Sequence, residues 1–152
     1  MPKLNLACGF VCLDGYINCD ISKKVQADKY FDITKEWPVE FENDSADEIL
    51  LHSVVGLILE NKDFLYVMNK CHDVLKDGHI LQVMCPSARF PSSFKDPFEV
   101  RHFTEETWTY FDKTHIRYQH FGEVYGFKPW TLLSVDTDPI GIMTIRLEKW
   151  TS

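Results

Sequence analysis

No apolar run in the chain is long enough to cross a bilayer, and Met1-Pro2-Lys3 leads straight into a strand-like segment without the apolar stretch of a signal peptide, so a cytoplasmic location is expected. Basic charge is scarce as well. The 16 Lys and Arg against 23 Asp and Glu leave a formal net charge of -7, and the cations are dispersed, which argues against a general grip on nucleic-acid phosphates. The five cysteines contain no C-x-x-C pair and are odd in number, which speaks against a disulfide framework or a standard zinc site and for reduced thiols. Also missing are the G-x-G-x-x-G phosphate-binding fingerprint, internal repeats, low-complexity tracts and linkers. What remains is ordinary globular composition, 45% hydrophobic and 26% charged, and residues 1–152 are expected to form a single domain with its own core.

The pattern of apolar residues supplies the fold class. Lys3 to Ala7, Tyr16 to Ile21, Lys29 to Ile33 and Ala46 to His52 read as strands, and the continuous Ile49-Leu50-Leu51 suggests a buried central one. From Lys62 to Lys76, Phe64, Leu65, Val67, Met68, Cys71, Val74 and Leu75 follow the stripe of an amphipathic helix. Asn61 or Asp63 is its expected cap, and Lys76-Asp77-Gly78 its expected stop. A further strand, Ile80 to Cys85, follows and ends at Pro86. A strand, helix, strand succession is a right-handed crossover with parallel strands, so the expected class is α/β: a Rossmann-like, mostly parallel sheet with helices on both faces. Beyond Pro86 a Ser-, Pro- and Phe-rich loop leads to a short helix capped by Thr104, while Ile116 to Gly126 has no clear pattern. Trp130 to Val135 and Ile140 to Lys149 suggest a closing antiparallel hairpin.

A parallel sheet binds ligands at the carboxyl ends of its strands, and those ends carry Gly9, Asp20, Asp32 and His52. Gly9 allows close approach of a ligand to the backbone, and Asp20 is placed to accept hydrogen bonds from the vicinal hydroxyls of a ribose. Asp32-Ile33 could set a carboxylate and an apolar contact beside an adenine. The step from Gly9 to Asp20 is short, leaving little room for a phosphate-binding helix. That spacing disfavours NAD and favours S-adenosylmethionine, which has no phosphate.

The segment LNLACGFVCLDGYINCDI resembles the LNLGCG…GYINVDI opening of a compact class I S-adenosylmethionine-dependent methyltransferase family. FDITKEWPVEFENDSADEI, FLYVMNKCHDVLKDGHILQVMCP and DPFEVRHFTEETWTYF are similar to later segments of that family, so the resemblance runs from Leu4 to about Phe111. It implies S-adenosylmethionine as cofactor and a contact set of Leu6, Ala7, Cys8, Gly9, Asp20, Ile21, Asp32, Ile33 and His52. Ala7 and Gly9 would approach the methionine part, Asp20 would hold the ribose, and Asp32 and Ile33 would flank the adenine. Ala7 stands where the family has its first glycine, and Ser53-Val54-Val55-Gly56-Leu57 replaces a usual H-V-L-E-H run.

On the acceptor side the candidates for catalysis are His52, Glu99, Arg101 and His102, the last three in a charged segment able to form a lid. Phe90, Phe94, Phe98, Phe103 and Trp108 are candidate walls of an acceptor site or, equally, core anchors. The expected function is methyl transfer to a small molecule or saccharide. A noncatalytic S-adenosylmethionine-binding or interaction protein is the alternative, and a nucleotide-binding oxidoreductase is a third reading disfavoured by the missing glycine fingerprint. No Asn-Pro-Pro-Tyr or Asp-Pro-Pro-Tyr run points to nucleobase amines, and the economical chain suggests thinly covered sheet faces and a homodimer.

Overall fold

Leu4 and Leu6, on either side of Asn5, and Ile49 and Leu51, on either side of Leu50, are fully buried side chains, and this period of two turns all four to one face at the centre of a sheet. The computed structural model describes residues 2–152. Strands β1 (Lys3–Leu6), β2 (Ile17–Asp20), β3 (Lys29–Tyr30), β4 (Ala46–His52) and β5 (Leu75–Pro86) are mutually parallel. β6 (Trp130–Thr137) and β7 (Ile142–Lys149) form an antiparallel hairpin, with β7 inserted between β5 and β6. The resulting order is β3-β2-β1-β4-β5-β7-β6. The chain is thus α/β with a mostly parallel central sheet and a C-terminal antiparallel pair.

Helix α1 (Asn61–Val74) buries Phe64, Val67, Met68, Cys71 and Val74 against the sheet face formed by Leu81, Val83, Met143 and Ile145. Each such fully buried aliphatic side chain contributes about 1.5–3 kcal/mol of transfer free energy. The helix starts and stops differently from the sequence expectation. Neither Asn61 nor Asp63 caps it: the cap position is Glu60, whose carbonyl receives the amides of Asp63 and Phe64, while Asn61 Oδ1 accepts from Arg101 Nη2 at 2.9 Å. Its C-terminus falls at Val74 rather than Gly78, because the carbonyls of Asp73 and Val74 take the amides of Asp44 and Ser45, and that of Leu75 takes Lys149 Nζ at 2.8 Å. Gly78 is left-handed (φ 73), but it serves a bulge in β5 between Leu75, opposite Ala46, and Ile80, opposite Glu48.

Helix α1 covers the face just described. The connections β1–β2, β2–β3 and β3–β4 contain no helix. The short 3₁₀ helix Glu105–Phe111, closed by reciprocal bonds between Thr104 and Thr107, packs on the same side as α1 through Phe64, Phe103, Trp108 and Phe111. On the second face the turn after β1 substitutes for a helix: Asn5 Nδ2 donates to Val11 O and to Asn18 Oδ1, both at 2.9 Å, and Asn18 Oδ1 also takes the Leu13 amide. The patternless Ile116–Gly126 stretch contains a π-helical turn, Tyr118–Gly122, running into the short α2 (Glu123–Tyr125). Among the described residues no helix is long and apolar enough to cross a membrane.

Candidate functional site

The parallel order reverses at β1, whose neighbours are β2 and β4, and a crevice opens there at the carboxyl ends of the strands. It holds a cavity of about 510 Å³, a size suited to a nucleoside-sized ligand. Of the residues singled out by sequence, Ala7, Gly9, Asp20, Ile21, Asp32 and Ile33 line it. Two non-glycine residues on its wall are left-handed, Ala7 at φ 52 and Ser53 at φ 59, each closing the strand that precedes it. Strained backbone of this kind persists where surrounding contacts over-determine it, and it collects at ligand sites.

Asp20 ends β2 with both carboxylate oxygens tethered: Oδ2 accepts the Gly9 amide and Oδ1 the Ser22 amide, each at 2.8 Å. Each oxygen retains a free lone pair, so the group is fixed and can still accept a pair of hydroxyls. Asp32 lies past the end of β3, which stops at Tyr30 instead of Ile33 because the Asp32 side chain turns the chain: Oδ1 accepts from the hydroxyl and the amide of Thr34, at 2.7 and 2.9 Å. The Thr34 hydroxyl bond is the chief cause of a carboxyl held below the usual range, and Oδ2 faces no protein donor among the described residues. Ile33 is largely buried, its carbonyl taken by Trp37 Nε1 at 2.8 Å, whereas Ile21 is exposed at the rim.

Three residues of the expected contact set lie outside this lining. Leu6 is fully buried in the core, as its place in the β1 alternation requires. The Cys8 side chain is also buried, its thiol pushed up to about 12 chiefly by desolvation, and its Sγ lies 3.9 Å from that of Cys12. His52 has the parity of Leu50, not of Leu51, and meets Gln82 Nε2 at 3.1 Å on the second face, where burial holds its pKa below the ordinary value.

The remaining catalytic candidates stand behind the segment that follows β4. Val100 and Arg101 donate their amides to Gly56 O, and the Glu99 carboxyl packs on Gly56, its pKa raised chiefly by burial. Arg101 Nε donates to Ile58 O at 3.2 Å. His102 stacks on Phe94, with ring centroids 4.4 Å apart, and bonds Ser93 Oγ through Nδ1. None of the three lines the crevice cavity. Phe103 and Trp108 are core anchors, and Phe94 and Phe98 are exposed.

The expected contact set did not include Phe31, Thr34, Ser53, Val54, Leu57, Ile58, Leu59 and Asp63, which complete the wall. Asp63 had a detectable signal: a helix that follows a strand of a parallel sheet starts at the crevice, so an acid in its first turn faces that end of the sheet. With it, the lining contains Asp20, Asp32 and Asp63 and no Lys, Arg or His.

No family model matches the chain, and no curated protein sequence does. Solved structures do match in shape. An S-adenosylmethionine-dependent methyltransferase from Archaeoglobus fulgidus superposes with a TM-score of 0.68 at 13% identity, over 97% of this chain and 86% of that one. The corresponding values for an S-adenosylmethionine-dependent methyltransferase from Clostridium acetobutylicum are 0.66, 12%, 97% and 83%. This is the class I methyltransferase fold. Another protein that superposes on it is the 1,6-didemethyltoxoflavin-N1-methyltransferase of Burkholderia thailandensis, solved with its acceptor and S-adenosylhomocysteine bound, with a TM-score of 0.63 at 10% identity over 99% and 72%. On this fold the chain carries no helix in its first three crossovers, and it keeps the antiparallel hairpin at the sheet edge.

Proposed function

We propose that the crevice binds S-adenosylmethionine and that the protein transfers its methyl group to a small-molecule or saccharide acceptor. The observation that carries this reading is the charge of the wall: three carboxylates and no cationic side chain. S-adenosylmethionine bears a sulfonium and an ammonium against one carboxylate, so an acidic wall complements it, whereas the pyrophosphate of a dinucleotide would meet only repulsion. The residues present fit the group. Asp20, held by Gly9 and Ser22, receives the ribose hydroxyls, and the free Oδ2 of Asp32 receives the adenine amino group beside Ile33 and Phe31. The left-handed turn at Ala7 brings backbone up to the methionine end.

When bound, S-adenosylmethionine supplies an activated methyl for in-line displacement. The protein's part is alignment and exclusion of water: Val54, Leu57, Ile58 and Leu59 form an apolar flank opposite the adenosine side. The Glu99 carboxyl packs on Gly56, within the segment that carries this flank, and burial raises its pKa, which makes it the candidate base for an acceptor that must lose a proton. The absence of His52, Glu99, Arg101 and His102 from the lining favours a second reading, a protein that binds S-adenosylmethionine without transferring its methyl.

Titration calorimetry with S-adenosylmethionine, S-adenosylhomocysteine and NAD tests the first step, with binding of both adenosyl compounds and none of NAD expected. Radiolabelled methyl transfer across a panel of small molecules and saccharides then separates the two readings. Tight binding with no transfer to any acceptor would favour the second.

A further inference from the structure

A larger cavity, about 580 Å³, lies on the other side of the segment that joins β4 to α1. Its floor is aromatic: Phe64, Phe103 and Phe111 are almost fully buried, and Tyr110, Tyr125 and Phe127 rise around them. It shares no lining residue with the crevice cavity; Ile58, Leu59 and Asp63 face the crevice, whereas Asn61, Lys62 and Phe64 face this one.

Its charge is the reverse of the crevice's. In a chain with 23 carboxylate side chains and 16 Lys and Arg, the lining holds Lys62 and Arg101 and no Asp or Glu. Neither cation has a carboxylate within salt-bridge distance among the described residues. Arg101 is kept in place by other means. Its guanidinium lies 4.6 Å from the centre of the Phe64 ring, and Nε and Nη2 donate to Ile58 O, Leu59 O and Asn61 Oδ1, which leaves Nη1 without an acceptor. A half-buried guanidinium aligned over an aromatic floor, with one nitrogen free and a second cation beside it, is a preformed receptor for a flat ligand with a negative group.

We infer that this cavity is a second binding site, separate from the crevice, for a small planar aromatic anion. The ring system packs against the more exposed Tyr110, Tyr125 and Phe127 above that floor, and the carboxylate or sulfonate meets Arg101 Nη1 and the Lys62 ammonium. Because Arg101 also holds the carbonyls of Ile58 and Leu59, an occupant here acts on the wall of the crevice through one side chain.

The probe is 8-anilinonaphthalene-1-sulfonate, read by fluorescence, with uncharged N-phenyl-1-naphthylamine as its counterpart. Lys62 is exposed and engages no side chain, so Lys62→Glu leaves the fold intact, which an unchanged circular dichroism melt verifies. The expected result is that Lys62→Glu weakens the sulfonate about tenfold, leaves the neutral counterpart within twofold, and that saturating S-adenosylhomocysteine displaces neither. Equal loss for both probes, no loss for the sulfonate, or displacement by S-adenosylhomocysteine would overturn the inference. The last outcome would place the probe in the crevice and leave the proposed methyl-donor site standing.

Discussion

The amide of Gly9 donates to Oδ2 of Asp20 across 2.8 Å, tying the end of β1 to the end of β2 with one charge-assisted bond. The strand ends are thereby locked together before any ligand arrives, and the Ser22 amide completes the lock from the other side. A carboxylate already oriented loses little entropy when it accepts hydroxyls, which is the advantage of preorganisation.

Asp20→Ala removes that lock and the hydroxyl acceptors at once. Hydrogen bonds to a charged group contribute about 1.5–3 kcal/mol, so affinity for S-adenosylhomocysteine falls roughly tenfold to a hundredfold, read by titration calorimetry. An unchanged affinity would remove Asp20 from the site.

Ala7 is the converse case, a side chain where the backbone favours none. Left-handed geometry costs an alanine about 1–2 kcal/mol, and glycine gives back about 0.5–1 kcal/mol in unfolded-state entropy. Ala7→Gly therefore raises the melting temperature by about 2–4 °C without loss of donor affinity. Calorimetric scans check it, and a lower melting temperature would mean that the Ala7 methyl makes a packing contact worth more than the strain.

His52 and His72 are both held below the ordinary histidine pKa, chiefly by burial. The unfolded chain therefore binds more protons than the native one once the pH falls below the unfolded value of about 6.5. Stability is full above that pH and declines beneath it until the folded pKa values are passed. Urea midpoints measured between about pH 7 and about pH 5 should fall, and His52→Gln, which preserves a polar partner for Gln82, should flatten part of the slope.

The parallel strands and the order of Gly9, Asp20 and Asp32 along the crevice were legible in the sequence because they depend only on local pattern and a parallel topology, whereas the early end of β3 at Tyr30 was not. His52 shows where that reasoning stopped: it located the residue at a strand end without settling the parity that turns it to the second face with Leu50. The end of α1 and the path from Ser53 to Leu59 were not legible either. Asp44, Ser45 and Lys149 decide the first, and Val100 and Arg101 the second, so both depend on partners remote in sequence.

The same remoteness makes Gly56 a sensitive position. A side chain there would overlap the Glu99 carboxyl and come within 3.0 Å of Arg101 O. Gly56→Ala should cost about 1–3 kcal/mol, as overpacking of a buried contact does. Glu99→Ala in the same chain should restore most of the loss, measured as denaturant midpoints, because the flexible carboxyl is the nearer obstacle.

Asp63 offers the sharpest test of the charge argument. Its carboxylate lines the crevice from the first turn of α1, on the flank remote from Asp20 and Asp32 in sequence, where the methionine end of the proposed donor would lie. S-adenosylmethionine and S-adenosylhomocysteine differ by the methyl that makes sulfur cationic, so a carboxylate acting on the sulfonium distinguishes them, whereas one acting on the ammonium does not. Asp63→Asn keeps the shape and removes the charge. The expected result is a loss of affinity for S-adenosylmethionine of about fivefold to tenfold, with S-adenosylhomocysteine changed less than twofold, as for a partly solvated charge pair worth about 1 kcal/mol. Equal losses for both ligands would move the role of Asp63 to the ammonium, and no loss for either would take it out of the donor site.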